Sequence, residues 1–232
     1  MIEDLQNETK IYVIPTPIGN LSDITQRAIE VLSKCDILIV ESFQETSQLL
    51  KKLNISNSPK LIPYIKNQDF NKYQVDSALE SGGVIGVVSD AGMPAISDPG
   101  YIVIKYFIEN NYSYTVLPGA CSVDVAAAAS GLIKKGYVFQ GFVPTKKGRQ
   151  LFWKECIAVG GLGLPVIILE SVHRIEKAVD DMQKFYPSTT RVFIGRELTK
   201  MYEQYCHTTI GELSNLQLMQ KGEFVVVIDS LK

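Results

Sequence analysis

Residues 88–100, Val-Ser-Asp-Ala-Gly-Met-Pro-Ala-Ile-Ser-Asp-Pro-Gly, limit the possible folds of this chain more than any other segment. They follow a short apolar run, residues 83–88, that is typical of a buried strand, and they precede an apolar run with helical spacing, residues 101–108. Glycine permits positive φ and proline fixes φ, so the segment predicts a long shaped loop between a strand and a helix. Ligands of open α/β sheets bind at such loops, beside the carboxyl ends of strands. We therefore expect a ligand loop around Asp90 and Gly92.

A purely structural alternative is an ordinary strand-to-helix turn, in which Asp98 is the helix N-cap and Pro99 is the first helical residue. This alternative accounts for Asp98 and leaves the placement of Asp90 and Gly92 unexplained. We therefore expect Asp98 to cap the helix, and Asp90 and Gly92 to face a ligand.

Composition places the chain among packed globular proteins. Its 232 residues are 46% hydrophobic and 21% charged, enough for one large domain or two small ones. The net charge of −2 excludes a strongly basic coat protein of nucleic acid and leaves a local RNA-binding patch possible. The four cysteines are widely spaced, so we predict neither a metal site nor a disulfide framework. The polar start of the chain and the absence of a long apolar run predict a soluble cytoplasmic protein, not bound to a membrane.

Strands and helices alternate along the first half of the chain, and this pattern predicts an α/β domain with a mostly parallel sheet. Ser22 is expected to cap the first helix, and residues 54–67 are expected to be loop. The predicted strands cover residues 11–14, 37–40, 84–88 and 114–117, and the other predicted helices cover 45–53, 69–80 and 99–109. Because Pro118 and Gly119 interrupt the pattern, we predict domains at residues 1–117 and 118–232.

The second half of the chain contains more strands, which favours a mixed sheet in a second α/β domain. The predicted strands cover residues 137–140, 165–169, 191–194, 203–207 and 223–228. The predicted helices cover residues 123–130, 148–159, 173–184 and 210–219.

Six segments in a fixed order give the chain a family resemblance. They are Ile14-Pro-Thr-Pro-Ile-Gly-Asn-Leu-Ser-Asp-Ile-Thr-Gln-Arg-Ala, residues 88–100, Leu117-Pro-Gly-Ala-Cys, Gly141-Phe-Val-Pro, Glu170-Ser-Val-His-Arg and Arg196-Glu-Leu-Thr-Lys. Together they resemble the tetrapyrrole methylase superfamily, and in particular its branch that methylates the 2′-hydroxyl of a cytidine ribose in small-subunit ribosomal RNA. The resemblance extends over nearly the whole chain, from residue 11 to residue 228.

The resemblance implies two α/β domains that hold S-adenosylmethionine in a cleft between them. This chain, like the family, has no GxGxxG fingerprint after its first strand. Asp90 is suited to accept a hydrogen bond from an amine or a hydroxyl group of the cofactor. The positions that match the family's cofactor-contacting segments are Pro17, Gly19, Ser89, Asp90, Ala91, Gly92, Pro118, Gly119 and Ala120. For the last three, a simple interdomain hinge is the alternative.

Candidate catalytic residues are Glu41, at the end of a predicted strand, and Glu197 and Lys200, in the Arg-Glu-Leu-Thr-Lys segment. Each is a candidate base or orienting group for the acceptor hydroxyl. Positioning of the acceptor hydroxyl contributes about 7–11 kcal/mol to lowering the barrier of methyl transfer, and a general base contributes about 3–5 kcal/mol. No strongly catalytic residue is therefore required. The alternative for Glu197 is an interdomain ion pair with Arg196.

Binding of ribosomal RNA, or of the small ribosomal subunit, requires local positive charge. Basic residues cluster in one stretch, with aromatic residues for base stacking beside them. The cluster comprises Lys134, Lys135, Lys146, Lys147, Arg149 and Lys154, with Phe142, Phe152 and Trp153. A solvated helix face is the alternative interpretation. The resemblance also implies a homodimer.

The chain departs from the pattern of the ribosomal RNA branch near its second strand. Ser42 and Gln44 stand where that branch has aspartate and arginine, residues 63–68 lack two histidines of the branch, and Met93 replaces a threonine. Two alternatives therefore stay open. One is a methylase of a tetrapyrrole or another small molecule, and the other is a cofactor-binding paralogue that has lost catalysis.

Overall fold

The computed structural model describes residues 10–64, 70–98, 100–216 and 222–232. The chain divides into two compact units, Met1–Cys121 and Ser122–Lys232. The domain boundary expected near residue 118 lies within four residues of this division. No helix in the described ranges is long and apolar enough to cross a membrane.

The first unit is built on a five-stranded parallel sheet with the strand order β3-β2-β4-β1-β5. Its strands are β1 (Ile11–Val13), β2 (Ile37–Val40), β3 (Lys60–Pro63), β4 (Ile85–Val88) and β5 (Tyr114–Val116). Its α-helices are α1 (Gln26–Leu32), α2 (Phe43–Lys52), α3 (Lys72–Glu80) and α4 (Tyr101–Glu109). A 3-10 helix, Leu21–Asp23, precedes α1. The prediction of a mostly parallel first sheet is confirmed.

Helices cover both faces of this sheet, which explains why β2 and β4 are buried along their whole length. Helices α1 and α2 pack on one face through Leu32 and Leu50, with Leu38 of the sheet between them. Helices α3 and α4 pack on the opposite face through Val75 and Phe107. The chain therefore leaves β1 toward one face of the sheet and leaves β4 toward the other.

The local hydrogen bonds correct three expectations about this unit. Helix α1 is capped by Thr25, whose side chain accepts from the N–H of Ala28 at 3.1 Å, and Ser22 lies in the 3-10 helix instead. Asp98 is not a helix N-cap: its Oδ1 accepts from the N–H of Ala95 at 2.9 Å and of Gly100 at 2.7 Å, so it closes the loop upon itself. Pro99 lies outside the described residues.

The third correction is strand β3, which lies in a segment expected to be loop. It pairs in parallel with β2 from Lys60 to Pro63. It was missed because it is a short edge strand in which only Ile62 is fully buried, so it lacks the apolar run of a central strand. Proline is tolerated at its end because an edge strand leaves N–H groups unpaired.

The second unit contains a mixed five-stranded sheet, as predicted, and its strand order is β6-β7-β10-β8-β9. Only β6 and β7 pair in parallel, and the other neighbours are antiparallel. Its strands are β6 (Val138–Phe142), β7 (Val166–Ser171), β8 (Arg191–Arg196), β9 (Gln204–Thr209) and β10 (Glu223–Ile228). Its helices are α5 (Ser122–Ser130), α6 (Arg149–Gly161) and α7 (Ile175–Phe185).

Helices α6 and α7 pack together on one face of this sheet. The fully buried Trp153 of α6 and Met182 of α7 form the centre of that core, against Ile168 and Val226. The helix expected at residues 210–219 is a shorter 3-10 helix, Ile210–Asn215, and residues 217–221 lie outside the described ranges.

Candidate functional site

The carboxyl ends of all five strands of the first unit lie at one edge of its sheet, because the strands are parallel. The loops after β1 and β4 leave this edge toward opposite faces of the sheet. Such a divergence between neighbouring strands is a topological switch point, where open α/β sheets bind ligands. The sequence-predicted ligand loop, residues 89–98, starts at this point.

Backbone hydrogen bonds join the two diverging loops. Thr16 and Gly92 form an isolated antiparallel bridge, with N–H to O distances of 3.0 and 3.1 Å in the two directions. The buried Thr16 hydroxyl also donates to the carbonyl oxygen of Ser89 at 3.2 Å. The Ser89 side chain is buried and turns back toward the carbonyl oxygen of Gly92 at 3.4 Å. Ser89 therefore shapes the loop rather than extending from it.

The loop after β5 joins the same cluster through two close approaches at glycine. A Cβ atom on Gly92, which has φ +81°, would lie 3.1 Å from Ile18 Cγ2 and 3.6 Å from the carbonyl oxygen of Ala120. A Cβ on Gly119 would lie 2.6 Å from Pro15 Cβ, closer than real Cβ atoms approach. The loops after β1, β4 and β5 thus pack against one another at positions that only glycine fits.

The structure brings together most of the residues that the sequence predicts to contact a cofactor. Within these three loops, Gly19, Asp90, Ala91, Pro118 and Gly119 are exposed, and Pro17 and Ala120 are half-buried. These residues form the rim of one edge of the sheet in the first unit.

Negative charge dominates this edge. The N–H of Asp90 donates to Glu41 Oε2 at 3.3 Å, which links the ends of β4 and β2. Burial raises the pKa of the Asp90 carboxyl; a hydrogen bond from the Ser42 backbone opposes this, and the nearby charges of Glu45 and Asp98 raise it further. The Asp90 carboxylate is therefore a stronger hydrogen-bond acceptor than an ordinary aspartate, and a cationic ligand would relieve the repulsion around it.

Tyr64, at the end of β3, is a buried part of this edge that the sequence did not indicate. Its hydroxyl donates to the carbonyl oxygen of Val88 at 3.1 Å, directly before the ligand loop. Burial raises the pKa of this phenol, and so do the charges of Asp98, Glu41 and Asp90. Tyr64 therefore stays protonated and holds the end of β4 in place.

The other two candidate catalytic residues lie in the second unit, after β8. Lys200 Nζ bridges Glu197 Oε1 and Glu223 Oε2, each at 3.0 Å. Glu197 Oε1 also accepts from the N–H of Glu223 at 3.0 Å, although Glu197 has a strained φ of +50°. The Glu197 side chain packs on Gly222, where a Cβ would lie 2.7 Å from Glu197 Cγ.

This ion pair shifts both pKa values away from what proton transfer requires. Burial alone would raise the pKa of Glu197, but hydrogen bonds from Lys200 and from the Glu223 backbone, with the charges of Lys200 and Arg196, lower it overall. Burial likewise opposes the charge of Lys200, yet its bonds to Glu223 and Glu197 raise its pKa overall. The geometry favours an ion pair that holds the loop; a catalytic role for Glu197 or Lys200 stays a prediction.

The basic segment around α6 differs from its expected form. Phe152 and Trp153 are buried in the core, so they are not available to stack on bases, and Arg149 is buried as well. Phe142 is half exposed, with the Arg174 guanidinium 5.7 Å from its ring centroid. Exposed residues of the predicted cluster are Lys134, Lys135, Lys146, Lys147 and Lys154.

A model of the family described as Tetrapyrrole (Corrin/Porphyrin) Methylases matches residues 10–214 of this chain. The chain belongs to this family. It is therefore a methyltransferase, and the resemblance inferred from its six sequence segments is confirmed.

Two curated relatives within this family match almost the whole chain. The protein named "Ribosomal RNA small subunit methyltransferase I" of Vibrio cholerae is 37% identical over 223 residues, which is 94% of this chain and 76% of the relative. The protein of the same name from Leptospira biflexa is 36% identical over 226 residues, 96% of this chain and 91% of the relative. The crystal structure of the methyltransferase CobJ has a TM-score of 0.67 at 12% identity and covers 96% of this chain and 95% of its own, which shows a shared fold.

The ion pair of the second unit gives a stability prediction. We expect Glu197→Gln to lower the free energy of unfolding at pH 7 by about 1 kcal/mol, because the amide keeps an acceptor for the Glu223 N–H and loses the charge that attracts Lys200. Since folding lowers the pKa of Glu197, its contribution is complete above the ordinary carboxyl pKa and is lost as the pH falls through the folded-state value. The free energies of unfolding of the natural protein and of Glu197→Gln, measured with urea, should therefore converge at acidic pH.

The matched control is Glu155→Gln, which removes an exposed carboxylate on α6. It should change stability by less than about 0.5 kcal/mol at either pH. Equal effects of the two substitutions at pH 7 would contradict the ion-pair interpretation of Glu197.

Proposed function

We propose that this methyltransferase uses S-adenosylmethionine to methylate the 2′-hydroxyl of a cytidine ribose in small-subunit ribosomal RNA. The observation that carries the proposal is identity of 36–37% to proteins named for this class of activity over 94–96% of the chain. It is supported by the loop cluster at the switch point of the first sheet, which is where the family resemblance assigns the cofactor.

The residues at this edge fit the chemistry of the cofactor. S-adenosylmethionine carries a sulfonium cation, an amine and ribose hydroxyls, and it supplies an electrophilic methyl group when bound. The carboxylates of Glu41 and Asp90 are acceptors for such donors, and their negative charge favours a cation. The exposed backbone of Gly19 and Gly119 leaves room for close approach. The cofactor-binding positions proposed here are those in the loops after β1, β4 and β5.

In this proposal Asp90 binds and orients the cofactor, and Glu41 is the candidate base that accepts the proton of the acceptor hydroxyl. Glu41 is exposed at the end of β2 and already contacts the backbone of the ligand loop, so it lies beside the proposed cofactor position. An acceptor hydroxyl held there in line with the methyl group would lose its proton to Glu41 or to water. Because positioning contributes about 7–11 kcal/mol and a base about 3–5 kcal/mol, replacing Glu41 should cost less than displacing the acceptor.

Ser42, which departs from the pattern of the relatives, has a structural role here. Its hydroxyl caps α2 by accepting from the N–H of Glu45 at 3.3 Å, and its backbone N–H stabilises the Asp90 carboxylate. Serine at this position therefore caps α2 and holds the Asp90 carboxylate. This favours an active enzyme over a paralogue that only binds the cofactor.

The first test is calorimetric titration of the purified protein with S-adenosylmethionine and its demethylated product. We expect micromolar dissociation constants, and no binding at millimolar cofactor would overturn the proposal. The second test adds small ribosomal subunits from a strain that lacks the corresponding enzyme. Transfer of one methyl group to a cytidine ribose supports the proposed substrate, and binding of the cofactor without transfer would identify a paralogue that has lost catalysis.

A homodimer and a cytoplasmic location belong to the same proposal: the family resemblance implies the first, and the second is a prediction from the sequence. Light scattering at micromolar protein concentration tests the first: a mass near twice 25.8 kDa supports a dimer, and a mass near 25.8 kDa contradicts it.

A further inference from the structure

The second unit contains a cavity that the proposed reaction does not yet use. It has a volume of about 660 Å³ and lies at the start of α6, beside α7. Among the described residues that line it are four cations and a single carboxylate. The cations are Lys146, Arg149, Lys154 and Lys177, the carboxylate is Asp181, and we call this the basic cavity.

The positive charge of the basic cavity is mostly uncompensated. Asp181 forms an ion pair with Arg149, with a distance of 2.5 Å between Arg149 Nε and Asp181 Oδ2. Within the described ranges, Lys146, Lys154 and Lys177 form no ion pair, and all three are exposed. The cavity therefore carries a local charge of about +3 in a protein whose net charge is −2. Such a concentration of charge attracts anions.

Arg149 is a fixed and incompletely satisfied donor in this cavity. It is only 8% exposed, and its Nη1 donates to the carbonyl oxygen of Pro144 at 2.9 Å. Its Nη2 atom is buried and has no hydrogen-bond partner in the described part of the chain. Two of its nitrogens thus hold the guanidinium in place, while the third is left for an acceptor that the described residues do not supply.

The amino terminus of α6 adds to the same field. This helix has thirteen residues, and its N-cap, Gly148, has φ +85° and no capping side chain. Its first turn lines the basic cavity, so the positive end of the helix dipole lies there. An uncapped helix start beside a fixed guanidinium suits a phosphate group.

We propose that the basic cavity binds a backbone phosphate of the RNA substrate. The inference rests on the proposed function, because a ribosomal RNA acceptor supplies a phosphate on every nucleotide. Three exposed lysines around one buried arginine match a chain of phosphates, with Arg149 as the fixed contact and the lysines as adaptable ones. A phosphate contact of this kind holds the substrate and carries no base specificity.

The test compares two double variants that remove the same charge. Lys154→Gln/Lys177→Gln changes the basic cavity, and Lys51→Gln/Lys52→Gln changes two exposed lysines at the carboxyl end of α2, the end opposite the ligand loop. Each phosphate contact contributes about 0.7–0.9 to the slope of log affinity against log salt. We therefore expect the cavity variant to raise KM for small ribosomal subunits about 20- to 60-fold at 0.1 M salt, with a slope smaller by about 1.4–1.8.

Cofactor affinity and kcat at saturating subunits should be the same in both variants and the natural protein. Equal KM values and equal salt slopes for the two variants would overturn the inference. If the natural protein transfers no methyl group, the proposed function fails, and the inference is then decided by the affinity of both variants for the subunits. Loss of poly-glutamate binding in the cavity variant, with subunit binding unchanged, would overturn it in favour of an acidic protein partner.

Discussion

Replacing Asp181 with alanine is expected to lower the free energy of unfolding of the second unit by about 3–5 kcal/mol. Asp181 Oδ2 accepts from Arg149 Nε at 2.5 Å and from Trp153 Nε1 at 3.0 Å. The substitution would leave a buried guanidinium without its counter-ion and a buried indole N–H without its acceptor. Uncompensated groups of this kind account for the largest destabilisations that single substitutions cause.

Trp153 makes this effect directly measurable, since it is the only tryptophan of the chain and is fully buried. Its fluorescence during urea unfolding reports on the core between α6, α7 and the second sheet. Asp180→Ala removes the exposed carboxylate next to it and should shift stability by less than about 0.5 kcal/mol. If both variants unfold at the same urea concentration, the pair is not what stabilises this core.

Replacing Asp90 with alanine is expected to weaken binding of S-adenosylmethionine by about 1–3 kcal/mol, which corresponds to roughly 5- to 150-fold in the dissociation constant. Asp90 is an exposed residue at the switch point of the first sheet, so its replacement should change stability only slightly. Asp90→Asn keeps an acceptor oxygen and loses the charge, and it should bind with intermediate affinity. Titration calorimetry measures all three proteins under the same conditions.

The pH dependence gives a second readout for Asp90. Since its pKa is raised, cofactor affinity should fall with decreasing pH earlier than an ordinary aspartate would cause, and Asp90→Asn should remove that part of the dependence. Glu80→Ala, at the carboxyl end of α3 and thus at the opposite end of the sheet, is the matched control. An affinity of Asp90→Ala equal to that of this control would remove Asp90 from the proposed site.

The sequence predicted most of the candidate cofactor edge because the relevant signals are local. A buried strand over residues 83–88, followed by two glycines and two prolines between residues 90 and 100, determines a shaped loop whatever surrounds it. The two signals that failed were also local in kind. Ser22 and Asp98 both satisfy the pattern of a helix cap, but Thr25 and Gly100 occupy those positions, because cap-forming residues lie close together in both turns.

Contacts between distant segments were decided only by the tertiary structure. Nothing near Tyr64 in the sequence indicates that its hydroxyl reaches Val88, and the partner of Arg149 lies thirty-two residues away on another helix. The sequence analysis assigned Phe152 and Trp153 to an RNA-binding surface. They lie instead in the core of the second unit, because the face of α6 that carries them packs against its sheet.

The sequence by itself therefore determined the two α/β domains, the family and the loops after β1, β4 and β5. The signals for these features are local: hydrophobic periodicity, turn-forming residues and the order of the six segments along the chain. The tertiary structure alone decided which charges meet. In the folded chain Lys200 pairs with both Glu197 and Glu223, and Arg149 pairs with Asp181. Three lysines around a cavity have no counter-ions among the described residues. Electrostatic energy depends on distance and burial, and neither is known until the chain has folded.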